Sequence, residues 1–344
     1  MTSPEGSTHG DAIVVGGDAR QRFHDARGYG RPRADGTLAL TRVEAAHLLA
    51  RGDLKSIDGL GIAAFLGRHG DGDFAVRFLV YADLRGRGYY LWPTRWAEDT
   101  QPDTDFVVFE RGAGPPGGAV AFHCRAVGER APLPADSLRP SVLAVADEEG
   151  ELTYFAIDAA PFDLGDRPAY GWQASATLIG DRLLVPDPPD PLYRRSFFGH
   201  PLWEDADGPI HLSLLEGAYL AERGALSLEG DAAAVRSRGR ALEGERFDRR
   251  LRVYTYLRDG GLIPKTGFKF GADFRVYPPD ATADNLGHSE ALVRVLPRAH
   301  RHEPRAISHD VRLAQGVRKR MVFAHTGDNG ETEIGWRSVR RITP

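Results

Sequence analysis

The chain has 344 residues, 42% hydrophobic and 27% charged, with a formal net charge of -4. These are ordinary proportions for a globular chain, and the length allows two domains, or one domain and its duplicate. No apolar run nears the roughly 20 residues that span a bilayer. The opening MTSPEGSTHGDA has neither the basic nor the apolar region of a secretory signal. The single Cys124 rules out an intramolecular disulfide and a cysteine-based metal site. The expected location is the cytoplasm.

The net charge does not advertise nucleic-acid binding, since domains of that kind are often basic overall. Four lysines (Lys55, Lys265, Lys269, Lys319) stand against 40 arginines. That bias is as readily a genomic habit as a functional one.

Taken in order, the elements repeat. GDAIVV (Gly10 to Val15) and FHDARGYGRP (Phe23 to Pro32) in the first half match GDRLLV (Gly180 to Val185) and YRRSFFGHPL (Tyr193 to Leu202) in the second. TRVEAAHLLARGDL (Thr41 to Leu54) and LSLLEGAYLAERGAL (Leu212 to Leu226) both carry apolar residues at helical spacing and an Arg-Gly suited to a helix C-terminus. VRFLVYADLRGRGYYL (Val76 to Leu91) matches LRVYTYLRDGGLI (Leu251 to Ile263). Three strand-like matches follow: DFVVFE with DFRVYP, AVAFHCRAV with HSEALVRVL, and SVLAVADEEGELTYFAID with RMVFAHTGDNGETEIGWRS. Seven segments in the same order define a duplicated α/β chain of mixed α+β character. Each copy has a small α/β N-terminal part followed by a mixed sheet. The expected boundaries are 1–165 for the first repeat, 166–179 for a linker and 180–344 for the second repeat, itself divided at 245/246.

Within the second copy, the stretch from Gly267 to Ala324 carries three groups suited to one task. Tyr277 ends the alternating DFRVY and is stopped by Pro278 and Pro279, which cannot continue a ladder. His288 follows the turn-like Asn285-Leu286-Gly287 and precedes a strand. Lys319 sits between a predicted helix and a buried strand. A phenol, an imidazole and an ammonium group form an acid–base set that needs no metal. Each alone reads more simply as packing, loop or surface charge. The first copy, however, offers Phe109, Ala119 and Pro140 at these places, with Arg139 beside Pro140, while keeping the apolar pattern. A purely structural demand for the three groups would have kept them in both copies. The second repeat is therefore expected to be catalytic and the first structural. His300, His302 and His309 lack a ligand pattern and read as surface residues. No zinc spacing or phosphate-binding glycine loop is present, so no cofactor is expected.

At GFKFGADFRVY, GHSEALVRVL and VRLAQGVRKRMVFA the sequence resembles the archaeal tRNA-intron (tRNA-splicing) endonucleases. The likeness covers most of the chain, in the form where two repeats are fused and the chain pairs as a homodimer, a pseudo-tetramer. The resemblance implies a nuclease-like fold for the C-terminal part of each repeat and a precursor-tRNA substrate with a bulge–helix–bulge. It also implies roles: Tyr277 as general base on the 2'-hydroxyl, His288 as general acid on the leaving 5'-oxygen, and Lys319 as the charge that stabilises the transition state. The products would be a 2',3'-cyclic phosphate and a 5'-hydroxyl. Two arginines would clamp a flipped base, one at Arg312 and the other at Arg340 or Arg341, with Arg341 favoured by its distance from the end. An acidic loop, Asp147, Glu148, Glu149 and Glu151, is the candidate plug for a partner's basic cleft. Its counterpart, Gly327 to Glu331, is less acidic. The alternative reading is a non-catalytic structural or RNA-binding subunit of such an enzyme.

Overall fold

The computed structural model describes residues 3–70, 72–98, 100–159, 162–203, 208–229, 233–327 and 333–344. The first repeat opens with a five-stranded sheet formed by β1 (Glu5–His9), β2 (Ala12–Val15), β3 (Arg31–Pro32), β4 (Leu38–Leu40) and β5 (Ser56–Ile57), ordered β3-β4-β2-β1-β5. Helix α1 (Arg42–Ala50) packs on it, α2 (Ile62–His69) packs on α1, and α3 (Phe74–Gly86) lies between α1 and the strands that follow. Helix α1 begins in a capping box, in which Thr41 and Glu44 satisfy each other's backbone N–H. Then come β6 (Leu91–Pro93), β7 (Phe106–Phe109), β8 (Val120–Gly128), β9 (Leu133–Pro134), β10 (Ser141–Ala146) and β11 (Leu152–Asp158).

The second repeat runs through the same plan. Its small sheet is β12 (Ala174–Ile179), β13 (Arg182–Val185), β14 (His200–Pro201), β15 (Ile210–Ser213) and β16 (Leu226–Leu228), ordered β14-β15-β13-β12-β16. Its helices are the short α4 (Asp190–Tyr193), α5 (Leu214–Glu222), which opens on the Ser213/Glu216 capping box, α6 (Ala233–Glu243) and α7 (Glu245–Asp259). Finally come β17 (Ile263–Thr266), β18 (Phe274–Tyr277), β19 (Ala291–Pro297), β20 (Arg301–His302), α8 (Pro304–Gly316), β21 (Arg320–Thr326) and β22 (Ile334–Ile342).

Strand β12 occupies residues 174–179 of the stretch expected to be linker. It pairs with β13 across the Gly180-Asp181 turn and with β16. The equivalent β1 likewise precedes the Gly10-Asp11 turn. Both repeats therefore begin one strand before the glycine that marks them in the sequence.

The two mixed sheets merge into one of ten strands, ordered β17-β18-β19-β21-β22-β11-β10-β8-β7-β6. The join is antiparallel, and Ile157 faces Val339. These two residues occupy equivalent positions in their repeats: Val142 opposes Ala156 in the first, and Val322 opposes Ser338 in the second. A pseudo-two-fold axis therefore passes between Ile157 and Val339. On one face of the sheet each repeat has its own core, with α3 or α7 beneath it. On the other face a single helix serves both copies. Ile307, Val311 and Ala314 of α8 pack with Val127, Leu143, Val145, Phe155 and Ile157 of the first repeat and with Leu292, Met321, Phe323 and Val339 of the second. At the place of α8 the first repeat has only a short 3-10 turn, Ala135–Ser137, because few residues separate β9, which pairs with β20, from β10, and Pro140 stops any helix there.

Candidate active site

Strand order brings the three predicted residues to one margin of the sheet. Tyr277 is the last residue of β18. Antiparallel pairing sets Val276 opposite Ala291, the first residue of β19. Parallel pairing sets Ala291 opposite Arg320, the first residue of β21. The pairing continues outward from there: Glu290 N donates to Val276 O (2.8 Å) and Arg320 N to Glu290 O (3.0 Å). His288 lies two residues beyond Glu290, and Lys319 one beyond Arg320.

Tyr277 and Lys319 are held by their neighbours. The Tyr277 ring is buried and meets Phe197 edge-on, with centroids 6.1 Å apart, while the Arg275 guanidinium lies 5.5 Å from its centroid. His288 is exposed, next to the buried Ser289. Lys319 Nζ donates to the carbonyl of Ser289 at 2.9 Å, tying the lysine to the histidine loop. The lysine is aimed by the end of α8: Arg318 N bonds Gln315 O, Lys319 N bonds Ala314 O, and Arg318 takes the left-handed φ of +56°. That is a Schellman closure with arginine where glycine is usual. Partial burial, and then the charge of Arg275, hold the Lys319 ammonium below the usual lysine range. Sequence reasoning missed Arg275. Its signal was the alternation in DFRVY, which puts Arg275 and Tyr277 on one face.

The first repeat can now be compared by register. Phe106, Cys124 and Val142 lie side by side, as do Phe274, Val293 and Val322. Counting back, Ala119 stands at the place of His288. The place of Lys319 is taken by Arg139, not by Pro140 as the sequence match suggested. Arg139 lies 3.9 Å from Asp103. The first copy thus lacks the phenol and the imidazole but keeps a cation.

The arginines divide by face. Arg312 is exposed on α8, about 6 Å of helix before its last residue, Gly316, at about 1.5 Å per residue. Val339 belongs to the core under α8, so Arg341, two residues on, shares that face. It pairs across the sheet with Phe155 of the same core. Continuing the register from Met321 and Val339 sets Arg341 beside Lys319. Arg340 points to the opposite face, 3.8 Å from Asp158.

The acidic loop joins β10 to β11. Asp147 is spent on the turn, accepting from the N–H groups of Glu149 (3.0 Å) and Glu151 (2.9 Å), and Glu148 is paired with Arg130 at 2.5 Å. The counterpart loop at Gly327 to Glu331 lies, from residue 328, outside the described residues. In the second repeat a cleft of about 660 Å³ lies between the small sheet and the large one, lined in part by Arg182, Arg250, Lys265 and Arg275, by His200 and His211, and by the carboxylates Asp181, Glu216 and Glu243.

One expectation is overturned. His302 is not a surface residue: it is buried, and its Nε2 lies 2.7 Å from Nε2 of the buried His325. Burial pushes these imidazoles down to about 3 and about 4, so both are neutral and one donates to the other. His309 is exposed as expected. Among the described residues no three His, Cys, Asp or Glu side chains are grouped to hold a metal ion.

Comparison with known proteins gives the family. The family model described as tRNA intron endonuclease, catalytic C-terminal domain, matches residues 247–336, and the N-terminal domain model of the same family matches twice, at 5–66 and 174–237. A protein named tRNA-splicing endonuclease from Halobacterium salinarum is 53% identical over 99% of this chain and 100% of its own length. Proteins of the same name from Haloarcula marismortui (51% over 97% and 98%) and Methanosarcina mazei (35% over 97% of each) are also similar. With both domain models on the chain and relatives of this identity along its full length, the protein belongs to the tRNA intron endonuclease family of RNA-cleaving enzymes.

Proposed function

We propose that this protein excises introns from precursor tRNA by cutting bulge–helix–bulge RNA without a metal. The observation that carries the proposal is that β18, β19 and β21 meet at one sheet margin, which carries Tyr277, the loop of His288 and Lys319, with Lys319 tied to that loop through Ser289. Tyr277 takes the proton of the 2'-hydroxyl as that oxygen bonds to the adjacent phosphorus. The bond from phosphorus to the 5'-oxygen then breaks, and His288 supplies that oxygen's proton. The products are a 2',3'-cyclic phosphate and a 5'-hydroxyl. Lys319 balances the charge that gathers on the non-bridging oxygens, and Arg275 adds positive charge beside the phenol. Arg312 and Arg341 stack on an unpaired base from the α8 side.

The working form is a homodimer in which Glu149 and Glu151 of one chain enter the basic cleft of its partner. The enzyme works in the cytoplasm, where its precursor-tRNA substrate would be met. The test is incubation of purified protein with a bulge–helix–bulge RNA in excess EDTA, with the 3' ends then mapped. Cyclic phosphate ends are expected. Binding without cutting would instead favour the structural-subunit reading, and cutting abolished by EDTA a metal-dependent one.

A further inference from the structure

A second cluster of cationic and aromatic side chains lies in the first repeat, well away in sequence from the residues assigned to cleavage. Arg27, Tyr29, His47, Arg51, Arg85 and Tyr90 line a cavity of about 240 Å³. The Arg85 guanidinium sits 4.1 Å from the Tyr29 ring centroid and 5.2 Å from that of Tyr90. Its Nη2 donates to Arg27 O at 2.9 Å, but its Nη1 is buried with no hydrogen-bond partner. Asp53 is the carboxylate at hand, and it is shared between Arg27 (2.7 Å) and Arg51 (3.0 Å). The Tyr29 hydroxyl meets His47 Nδ1 at 2.9 Å, and burial, helped by Arg85 and Arg51, lowers His47 to about 4. With a neutral imidazole, three guanidinium groups face one carboxylate.

The second repeat shows what such a constellation holds. By the shared capping boxes and glycine turns, Tyr29 corresponds to Phe198, His47 to Tyr219, Arg51 to Arg223, Arg85 to Arg258 and Gly86 to Asp259. The ring geometry agrees: Tyr29 stacks on His47 at 6.0 Å and Phe198 on Tyr219 at 6.1 Å, while Arg258 lies 3.9 Å from the Phe198 centroid. In the second repeat the site is closed by its own anion. Asp259 accepts from Arg223 (2.6 Å), from Tyr219 (3.2 Å) and from Arg167 (2.8 Å). Arg258 there is satisfied by Ser196 O at 2.9 Å and by the Tyr254 hydroxyl at 3.1 Å. In the first repeat the residue at the place of Asp259 is Gly86, and the basic groups remain.

We propose that the first repeat carries an anion site at Arg85, Arg51 and His47 that takes a phosphate group where the second repeat uses Asp259. At about 240 Å³ the cavity falls short of the about 300 Å³ at which pockets begin to hold drug-sized ligands. A phosphoryl group fits within it. Its source is either a phosphodiester of bound RNA or free phosphate. The site does not depend on the cleavage reading; only the RNA source does.

Two variants test it. Arg85→Gln removes the cation with the orphaned nitrogen. Gly86→Asp builds in the second repeat's carboxylate, and a Cβ at Gly86 meets nothing within 4 Å, so this variant keeps the fold if the first does not. Inorganic phosphate is titrated against the thermal midpoint of the full-length protein at constant ionic strength. A precursor RNA made uncleavable by 2'-deoxy sugars is bound across a salt series. Phosphate is expected to raise the midpoint of the natural protein and to lose that effect in both variants. If the occupant is an RNA phosphate, the slope of log affinity against log salt also shrinks by about one in each variant. A lost phosphate effect with an unchanged slope identifies free phosphate as the occupant. Equal phosphate shifts in all three proteins, with equal slopes, overturn the proposal. Cleavage of the all-ribose RNA by the natural protein is scored in parallel, so a failed nuclease reading is not mistaken for a failed anion site.

Discussion

Lys265 Nζ lies 2.9 Å from Glu216 Oε1, and the equivalent positions of the first repeat hold Trp92 and Glu44. Both glutamates are buried and both close a capping box, yet only the second-repeat one has a cation. Glu44 is surrounded instead by neutral donors: the N–H groups of Gly30 and Thr41, the Thr41 hydroxyl and Trp96 Nε1. Breaking a buried ion pair from one side leaves a charge stranded, at about 3–5 kcal/mol. Glu216→Gln is therefore expected to lower stability by about that much in urea unfolding. A loss under about 1 kcal/mol would show that Lys265 finds other compensation.

The same pair sets a pH dependence. Burial alone would raise Glu216, but the charge of Lys265 and the N–H groups of Ser213 and Gly199 outweigh it and bring the carboxyl to about 2. Its folded value is below its unfolded one, so its stabilisation is full above about pH 4.5 and is lost as pH falls toward 2. Glu44 is shifted upward, chiefly by burial, so its contribution has the opposite sign and is lost as pH rises. Hydrogen exchange between pH 5 and 3 should show protection falling first around α5, with α1 retaining it. Loss of protection in α1 first would contradict this order.

At the cleavage site, His288→Ala and Lys319→Ala should each slow single-turnover cutting by about 10²-fold or more. Arg139→Ala, the register counterpart of Lys319, should leave it unchanged. An unchanged rate in His288→Ala or Lys319→Ala removes that residue from the chemistry.

The two C-terminal arginines should separate cleanly. Arg341→Ala is expected to weaken binding of uncleavable RNA by about 1–2 kcal/mol, the worth of a cation–π contact to a base. Arg340→Ala, on the other face beside Asp158, should bind like the natural protein. Equal losses would place both on the RNA.

For the acidic loop, Glu149→Lys with Glu151→Lys should weaken the dimer in sedimentation, most visibly at low salt. Glu148→Lys should matter less to assembly, because Glu148 is already engaged by Arg130. A dimer indifferent to the double reversal would rule out the plug.

Much of this was legible in the sequence: the order of elements and the catalytic half came from setting each repeat against the other, and the strand end at Tyr277 from the two prolines that follow it. What escaped it has physical reasons. VLAV and MVFA are apolar throughout, so nothing in them fixes register to one residue, and Arg139 was misread as Pro140. Strand β12 precedes the glycine turn that anchored the match. His302 looks like a surface residue until folding sets its ring against His325 and buries both. The anion cavity was invisible because its residues are spread from Arg27 to Tyr90.

The pairing of Ile157 with Val339 has a consequence for any attempt to shorten the chain. A fragment beginning at residue 174 would carry every residue proposed for cleavage, but it would bare β22 as an open edge and half the floor under α8. Since the natural join is already nearly symmetric, the strand best suited to cover that edge is β22 of a second fragment. The expected product is a self-paired molecule with two cutting margins where the intact chain has one.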